Sequence, residues 1–200
     1  MESKIDPKDF EGVNPMEAGT WHDDMTEHEF DLNWFYLMSG VAHTFGDGKQ
    51  IMGFNFDPYI LNKDGKKIFY QRPLCWTLQD KQNLIESIYL GLNCGDVVLK
   101  YNDDDRAVEV GAEMDVVDGK QRIHAIIEFF NNEFPDMHGN YFKDFSKVAQ
   151  RMFKNRKAMH VFMLREKCSD EKVKRAFLNV NFTGVPMSKE HIEFVKSINV

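Results

Sequence analysis

Cysteine is scarce: three occur in 200 residues, at Cys75, Cys94 and Cys168, with no CxxC pair. An odd, scattered set gives neither a disulfide framework nor a zinc knuckle and predicts a reducing, cytoplasmic setting. Long apolar runs are missing too, since nothing approaches the ~18 consecutive residues of a membrane span. The opening MESKIDPKDFEGVNP is acidic, where a secretory leader needs a basic start and an apolar run, so no targeting segment is predicted. Internal repeats and low-complexity tracts are likewise absent. The Trp21-His22-Asp23-Asp24 and Glu27-His28 cluster has the residue types of a metal site. Its histidines are six apart, however, and no spacing puts three ligands on one helical face, so no metal site is predicted.

What is present is apolar and aromatic: 42% of the chain is hydrophobic and 13% aromatic, with 17 phenylalanines, enough to offset the entropy of ordering a core. At 200 residues the chain fits one domain with room for an appendage. The net charge of -7 is unevenly placed. Residues 1–33 carry ten acidic side chains and two basic ones, whereas residues 143–175 carry eleven basic and four acidic. An acidic N-terminal end and a basic later segment offer two different partners more than the total charge does.

The turn-rich stretch Thr44 to Lys67 is the best boundary, so residues 1–58 are expected as an acidic, aromatic-containing extension and residues 59–200 as the main domain. Within the extension, EFDLNWFYLMSGVAHTF is dense enough in apolar residues to form a helix packed on the domain. Beyond it, Lys67 to Tyr70 is β-prone and Thr77 caps a helix over Leu78–Leu90 that Gly91 stops. Val97–Tyr101 and Met114–Val117 are expected as strands, with a turn at Asn102–Asp105 and a second hairpin strand at Ala107–Val110. Ile123, Ile126, Ile127 and Phe130 recur at helical spacing, His160–Leu164 suits a buried strand, and Asp170–Phe177 suits a helix. Alternating strands and helices define an α+β, or mixed α/β, class.

One arrangement carries chemistry. A strand delivers Asp118-Gly119 into a helix start at Gln121-Arg122, where exposed N–H groups and the helix dipole favour an anion. Glycine at 119 permits a turn closed to other residues, Lys120 and Arg122 add charge, and Arg122 has the fork to donate two parallel hydrogen bonds to a phosphate. The plainer reading, an ordinary Asp-Gly turn before an exposed helix start, fits these five residues equally well.

Three separated blocks extend the pattern: Phe69-Tyr70-Gln71-Arg72-Pro73-Leu74-Cys75-Trp76, Val116-Val117-Asp118-Gly119-Lys120-Gln121-Arg122-Ile123, and Phe177-Leu178-Asn179-Val180-Asn181-Phe182-Thr183-Gly184-Val185-Pro186-Met187-Ser188. Together, and in this order, they resemble the DGQQR-type domain, a ParB/sulfiredoxin-like domain that begins GmrSD-type restriction enzymes, over roughly residues 60–195. The resemblance implies a small mixed sheet flanked by helices and a nucleotide site. Gln71 and Arg72 would face that site, Asp118, Gly119, Lys120, Gln121 and Arg122 would form its centre, and Asn181 and Thr183 would stand in the third block. It also implies a nucleoside triphosphate as ligand, with magnesium as its companion, and a weak NTP hydrolase in which Asp118, Gln121 and Arg122 are catalytic and Gln121 positions a water.

Departures narrow this. Lys120 stands where the pattern has its first Gln, adding a cation and removing a group able to orient water, which favours binding over hydrolysis. His124 is a candidate base or a satisfied structural histidine. The cysteine that sulfiredoxin chemistry needs is missing from the loop, and Cys75 beside Trp76 suits an unreactive thiol. No nuclease motif is recognised. The alternatives are a ParB-like module that binds DNA or senses its modification through residues 143–175, and a non-catalytic interaction protein that engages a defence system or another protein partner through the acidic extension. No membrane partner is expected.

Overall fold

The computed structural model describes residues 25–40, 43–44, 50–183 and 188–200. A mixed sheet runs through the molecule in the order β1-β8-β6-β7-β3-β2, built from β1 (Met25–His28), β2 (His43–Thr44), β3 (Gln50–Asn55), β6 (Asp96–Tyr101), β7 (Ala112–Asp118) and β8 (His160–Leu164). β6 runs antiparallel to β7 and parallel to β8, and β3 runs parallel to β7. A separate hairpin joins β4 (Tyr59–Leu61) to β5 (Lys67–Phe69). Both strands and helices are abundant, and the class is α+β.

Helices cover both faces, which is why the central strands are apolar on both sides. Along β6, Val97 and Leu99 face one cluster and Val98 the other; along β7, Met114 and Val116 face the first and Val117 the second. This is the two-residue alternation of extended chain. The first cluster is closed by α1 (Leu32–Gly40), α2 (Leu78–Tyr89), α4 (Lys120–Phe130) and α5 (Lys147–Lys154), through Leu32, Phe35, Ile85, Ile88, Ile126 and Phe153. The phenylalanines concentrate there: the Phe129 ring lies 5.5 Å from those of Phe134 and Phe153 and 5.9 Å from that of Phe142. The second cluster is closed by α6 (Asp170–Thr183) and α7 (Lys189–Ser197), through Phe177 and Val195.

The described part of the segment ahead of residue 59 builds into this sheet. β1 pairs with β8, β3 pairs with β7, and α1 buries Leu32 and Phe35 in the first cluster. Of the aromatic stretch expected as a helix, Leu32–Gly40 is helical. Residues 1–24, including His22, lie outside the described residues.

The expected strand at Ala107–Val110 is instead α3 (Asp104–Val110). Asp103, assigned to a turn, is its N-cap: the carboxylate accepts from the Arg106 amide at 2.9 Å. Asp104 and Asp105 occupy the first turn, where the helix dipole favours acidic groups, and Gly111 ends the helix at φ +69°. At α2 local signals and structure agree. Thr77 caps α2 in a reciprocal box with Asp80, the Asp80 amide donating to the Thr77 hydroxyl at 3.2 Å and the Thr77 amide to the Asp80 carboxylate at 2.8 Å.

Candidate functional site

Of the expected site residues, Asp118, Gly119, Lys120, Gln121 and Arg122 stand at the C-terminal end of β7, and Gln71 reaches that end of the strand. Gly119 is the N-cap of α4 at φ +99° and, as a glycine, offers that helix no side-chain cap. A Cβ at 119 would stand 2.8 Å from Val97 Cγ2, so both the backbone angle and the space call for glycine.

Each polar side chain of the turn has an intramolecular partner. Lys120 is only 7% exposed, and its ammonium reaches out to Asp57, just beyond β3, at 2.6 Å. Gln121, equally buried, donates to the Pro73 carbonyl at 3.0 Å, and its oxygen accepts from the amides of Cys75 and Trp76 at 3.1 and 3.3 Å. Arg122 Nη2 bonds Asp118 Oδ2 at 2.7 Å and the Asp96 carbonyl, while Nη1 bonds the Cys94 carbonyl at 3.2 Å. In this conformation the Gln121 amide therefore braces the loop that carries the first block. Arg122 closes a cage around the start of β6. Burial pushes the neighbouring Cys94 thiol up from its ordinary value, against the opposing pull of Arg122.

The first block is strapped over the end of β7. Gln71 Nε2 donates to the Val116 and Val117 carbonyls at 2.8 and 2.7 Å. Tyr70 on one side belongs to the second cluster, and Trp76 on the other packs against the first, so residues 71–75 cross from one face of the sheet to the other. Between the Gln71 anchor and the Gln121 anchor stands Arg72. It is half-buried and has no hydrogen-bond or ion-pair partner among the described residues.

Sequence reasoning missed several neighbours. Asp57 lies 63 residues from Lys120 in a loop that looked like a boundary. His191 Nε2 donates to the Tyr70 carbonyl at 2.8 Å, tying α7 to the strap; the Ser188 cap before it was the available signal, its hydroxyl accepting from the His191 amide at 3.3 Å. The Tyr70 hydroxyl is buried without a hydrogen-bond partner among the described residues, and that burial, reinforced by the Asp115 carboxylate, holds it well above the ordinary phenol range. Asn181 and Thr183 lie in the last turn of α6, but their side chains and residues 184–187 lie outside the described residues.

His124 is one turn beyond Lys120, its ring 4.4 Å from that of Phe56. Burial lowers its pKa, Glu128 opposes the change and Lys120 adds to it. The basic segment 143–175 does not form one face. Lys154 lies 5.9 Å from the rings of Tyr36 and Phe142, Lys157 pairs with Glu29 at 3.0 Å, and Lys174 bonds the Lys196 carbonyl at 3.1 Å. Lys147 and Arg151, exposed on α5, have no such partner among the described residues.

An α+β domain with a glycine-turned strand-to-helix node, strapped by a Gln-Arg-Pro segment, is the class these observations define. Residues 61–197 match the model of the GmrSD restriction endonuclease N-terminal domain, and the chain belongs to that family. Membership associates it with restriction and phage defence. Neither a curated protein nor a solved structure matches the chain. Among the described residues, no helix is long and apolar enough to cross a membrane.

Proposed function

We propose that this domain binds a nucleotide through its phosphates, with Arg72 as the phosphate contact and the first-turn amides of α4 as its backing. The observation that carries this reading is the state of Arg72: a half-buried side chain without a hydrogen-bond or ion-pair partner among the described residues, on a loop tied to the end of β7 by Gln71 and to the first turn of α4 by Gln121. The planar donor fork of a guanidinium and the amides of a helix N-terminus each suit a phosphate. Gln71, Gln121 and Arg122 act as positioning residues that hold the loop and the turn. Lys120 is a further cation held by an exposed carboxylate. Magnesium, where the nucleotide brings it, would be bound mainly through phosphate oxygens and water, with Asp118 as the nearest carboxylate of the node; ions of this kind take one or two protein carboxylates.

Calorimetric titration of the protein with ATP, GTP, CTP and UTP, with and without magnesium, tests the reading. Arg72→Ala should keep the wild-type melting temperature without ligand and lose most nucleotide affinity. No binding by the wild type, or full binding by the variant, overturns it. Hydrolysis needs a water-orienting group, and with both ends of the Gln121 amide engaged, binding is the favoured activity.

A second reading is supported by the shallow groove of about 230 Å³ lined by Asn33, Lys147, Gln150, Arg151, Lys154 and Asn155. Its cations suit a nucleic-acid backbone, with Lys147 and Arg151 as the contacts. Duplex binding whose affinity falls steeply with salt, and flattens in Lys147→Ala/Arg151→Ala, would support it; salt-independent binding would sink it.

A further inference from the structure

Helix α7 brings an aromatic surface to the strap. His191 is fixed by its bond to the Tyr70 carbonyl, its ring is 5.9 Å from that of Phe194, and Phe194 is 44% exposed. A lone exposed phenylalanine needs no explanation. This one belongs to a pair whose other member is hydrogen-bonded to the residue two before Arg72, so ring and guanidinium are carried by one tethered unit. The backing is rigid as well: the Phe177 ring lies 6.3 Å from His191 and 5.0 Å from Tyr70, closing an aromatic stack from the core to the surface.

We propose that Phe194, positioned by His191, is the base-stacking wall of the phosphate site, so that the ligand is a base-bearing nucleotide and not a bare polyphosphate. This rests on the Arg72 reading above. One hydrogen bond and one ring contact link Phe194 to the Tyr70 carbonyl, two residues before Arg72. An aromatic face is tolerant of base identity, because every base offers a π surface, and it provides affinity where hydrogen-bonding groups are few. The His191 bond uses Nε2 as donor, leaving Nδ1 as the ring's free edge.

The test compares ATP, UTP and inorganic tripolyphosphate on the full chain, as wild type, Arg72→Ala, Phe194→Ala and Phe194→Tyr. Phe194→Ala should weaken ATP binding by roughly five- to 160-fold, the range of base–aromatic stacking, and leave tripolyphosphate binding unchanged. Phe194→Tyr should restore ATP binding, and ATP should lose more than UTP because its base is larger. If Phe194→Ala leaves ATP affinity unaltered while Arg72→Ala abolishes it, the stacking wall is wrong and the phosphate site stands. If neither nucleotide nor tripolyphosphate binds the wild type, both fail. Equal losses for ATP and tripolyphosphate in Phe194→Ala would also overturn the wall, since they would report a change in the strap itself.

Discussion

The Gln121 side chain donates to the Pro73 carbonyl at 3.0 Å, across 48 residues of sequence, and accepts from the Cys75 and Trp76 amides of the same loop. One buried amide thus fixes where Arg72 stands. Gln121→Ala leaves a carbonyl and two amides without their partner, and should cost about 1–3 kcal/mol. Urea unfolding would measure that loss. The same variant should show faster hydrogen exchange at Cys75 and Trp76, whereas unchanged exchange there would remove Gln121 from its bracing role.

Gly119 and Gly95 flank Arg122 with backbone angles of +99° and +93°. A Cβ at 95 would overlap the Arg122 Nη1, and one at 119 would press on Val97. Alanine at either position should destabilise by about 1–3 kcal/mol, as an L-residue forced into this backbone region does. Chemical denaturation of Gly95→Ala, Gly119→Ala and the exposed Gly65→Ala, which meets only the backbone cost, would separate angle from overlap: the first two should lose more.

Asp115 is the buried hub beneath the site. Arg106 Nε and Nη2 donate to its Oδ2 at 2.8 and 2.6 Å, and the Asn55 and Asn102 amides reach Oδ1 at 2.7 and 3.3 Å. Asp115→Ala leaves the Arg106 charge short of its counterion and should cost about 3–5 kcal/mol. Arg106 also donates to the Tyr59 carbonyl at 2.7 Å, so the loss should spread to the β4–β5 hairpin and appear as early proteolysis near residues 59–69.

His124 predicts an acid-side change. Burial holds its imidazole below the ordinary value near 6.5, so the unfolded chain takes the proton first. Stability therefore falls as pH drops below about 6.5 and stops falling, for this group, once the folded histidine is protonated too. His124→Gln should show a smaller drop in melting temperature between pH 7.5 and 5.5 than the wild type. An equal drop would assign the acid sensitivity to other groups.

Some elements were legible because their signals are local. Thr77 with Asp80 at a capping-box spacing, Gly91 after the last apolar turn, and the run Val97–Leu99 announce a helix and a buried strand whatever packs on them. Helix α3 was hidden because an Asp-rich triplet serves a turn and a helix start equally well. Only the Asp103 carboxylate, seen accepting from the Arg106 amide, decides between them. β3 was hidden among glycines and aspartates, and it is held by parallel pairing to β7, a partner some 60 residues away in the chain.

The node at Asp118 to Arg122 shows the same division. Its strand, its glycine turn and its helix are local and follow from the sequence alone. The direction of the side-chain heads is only partly local. Asp118 holds Arg122 from four residues away, but Asp57 on Lys120, the Cys94 and Asp96 carbonyls on Arg122 and the strap on Gln121 are contacts made only when β3, β6 and the 71–76 segment converge. Sequence determined which residues stand at the turn, because backbone preference acts over a few positions. Tertiary structure decided that, of Arg72, Lys120 and Arg122, Arg72 on the strap is the one without a partner among the described residues, because hydrogen bonds and ion pairs are assigned by three-dimensional proximity.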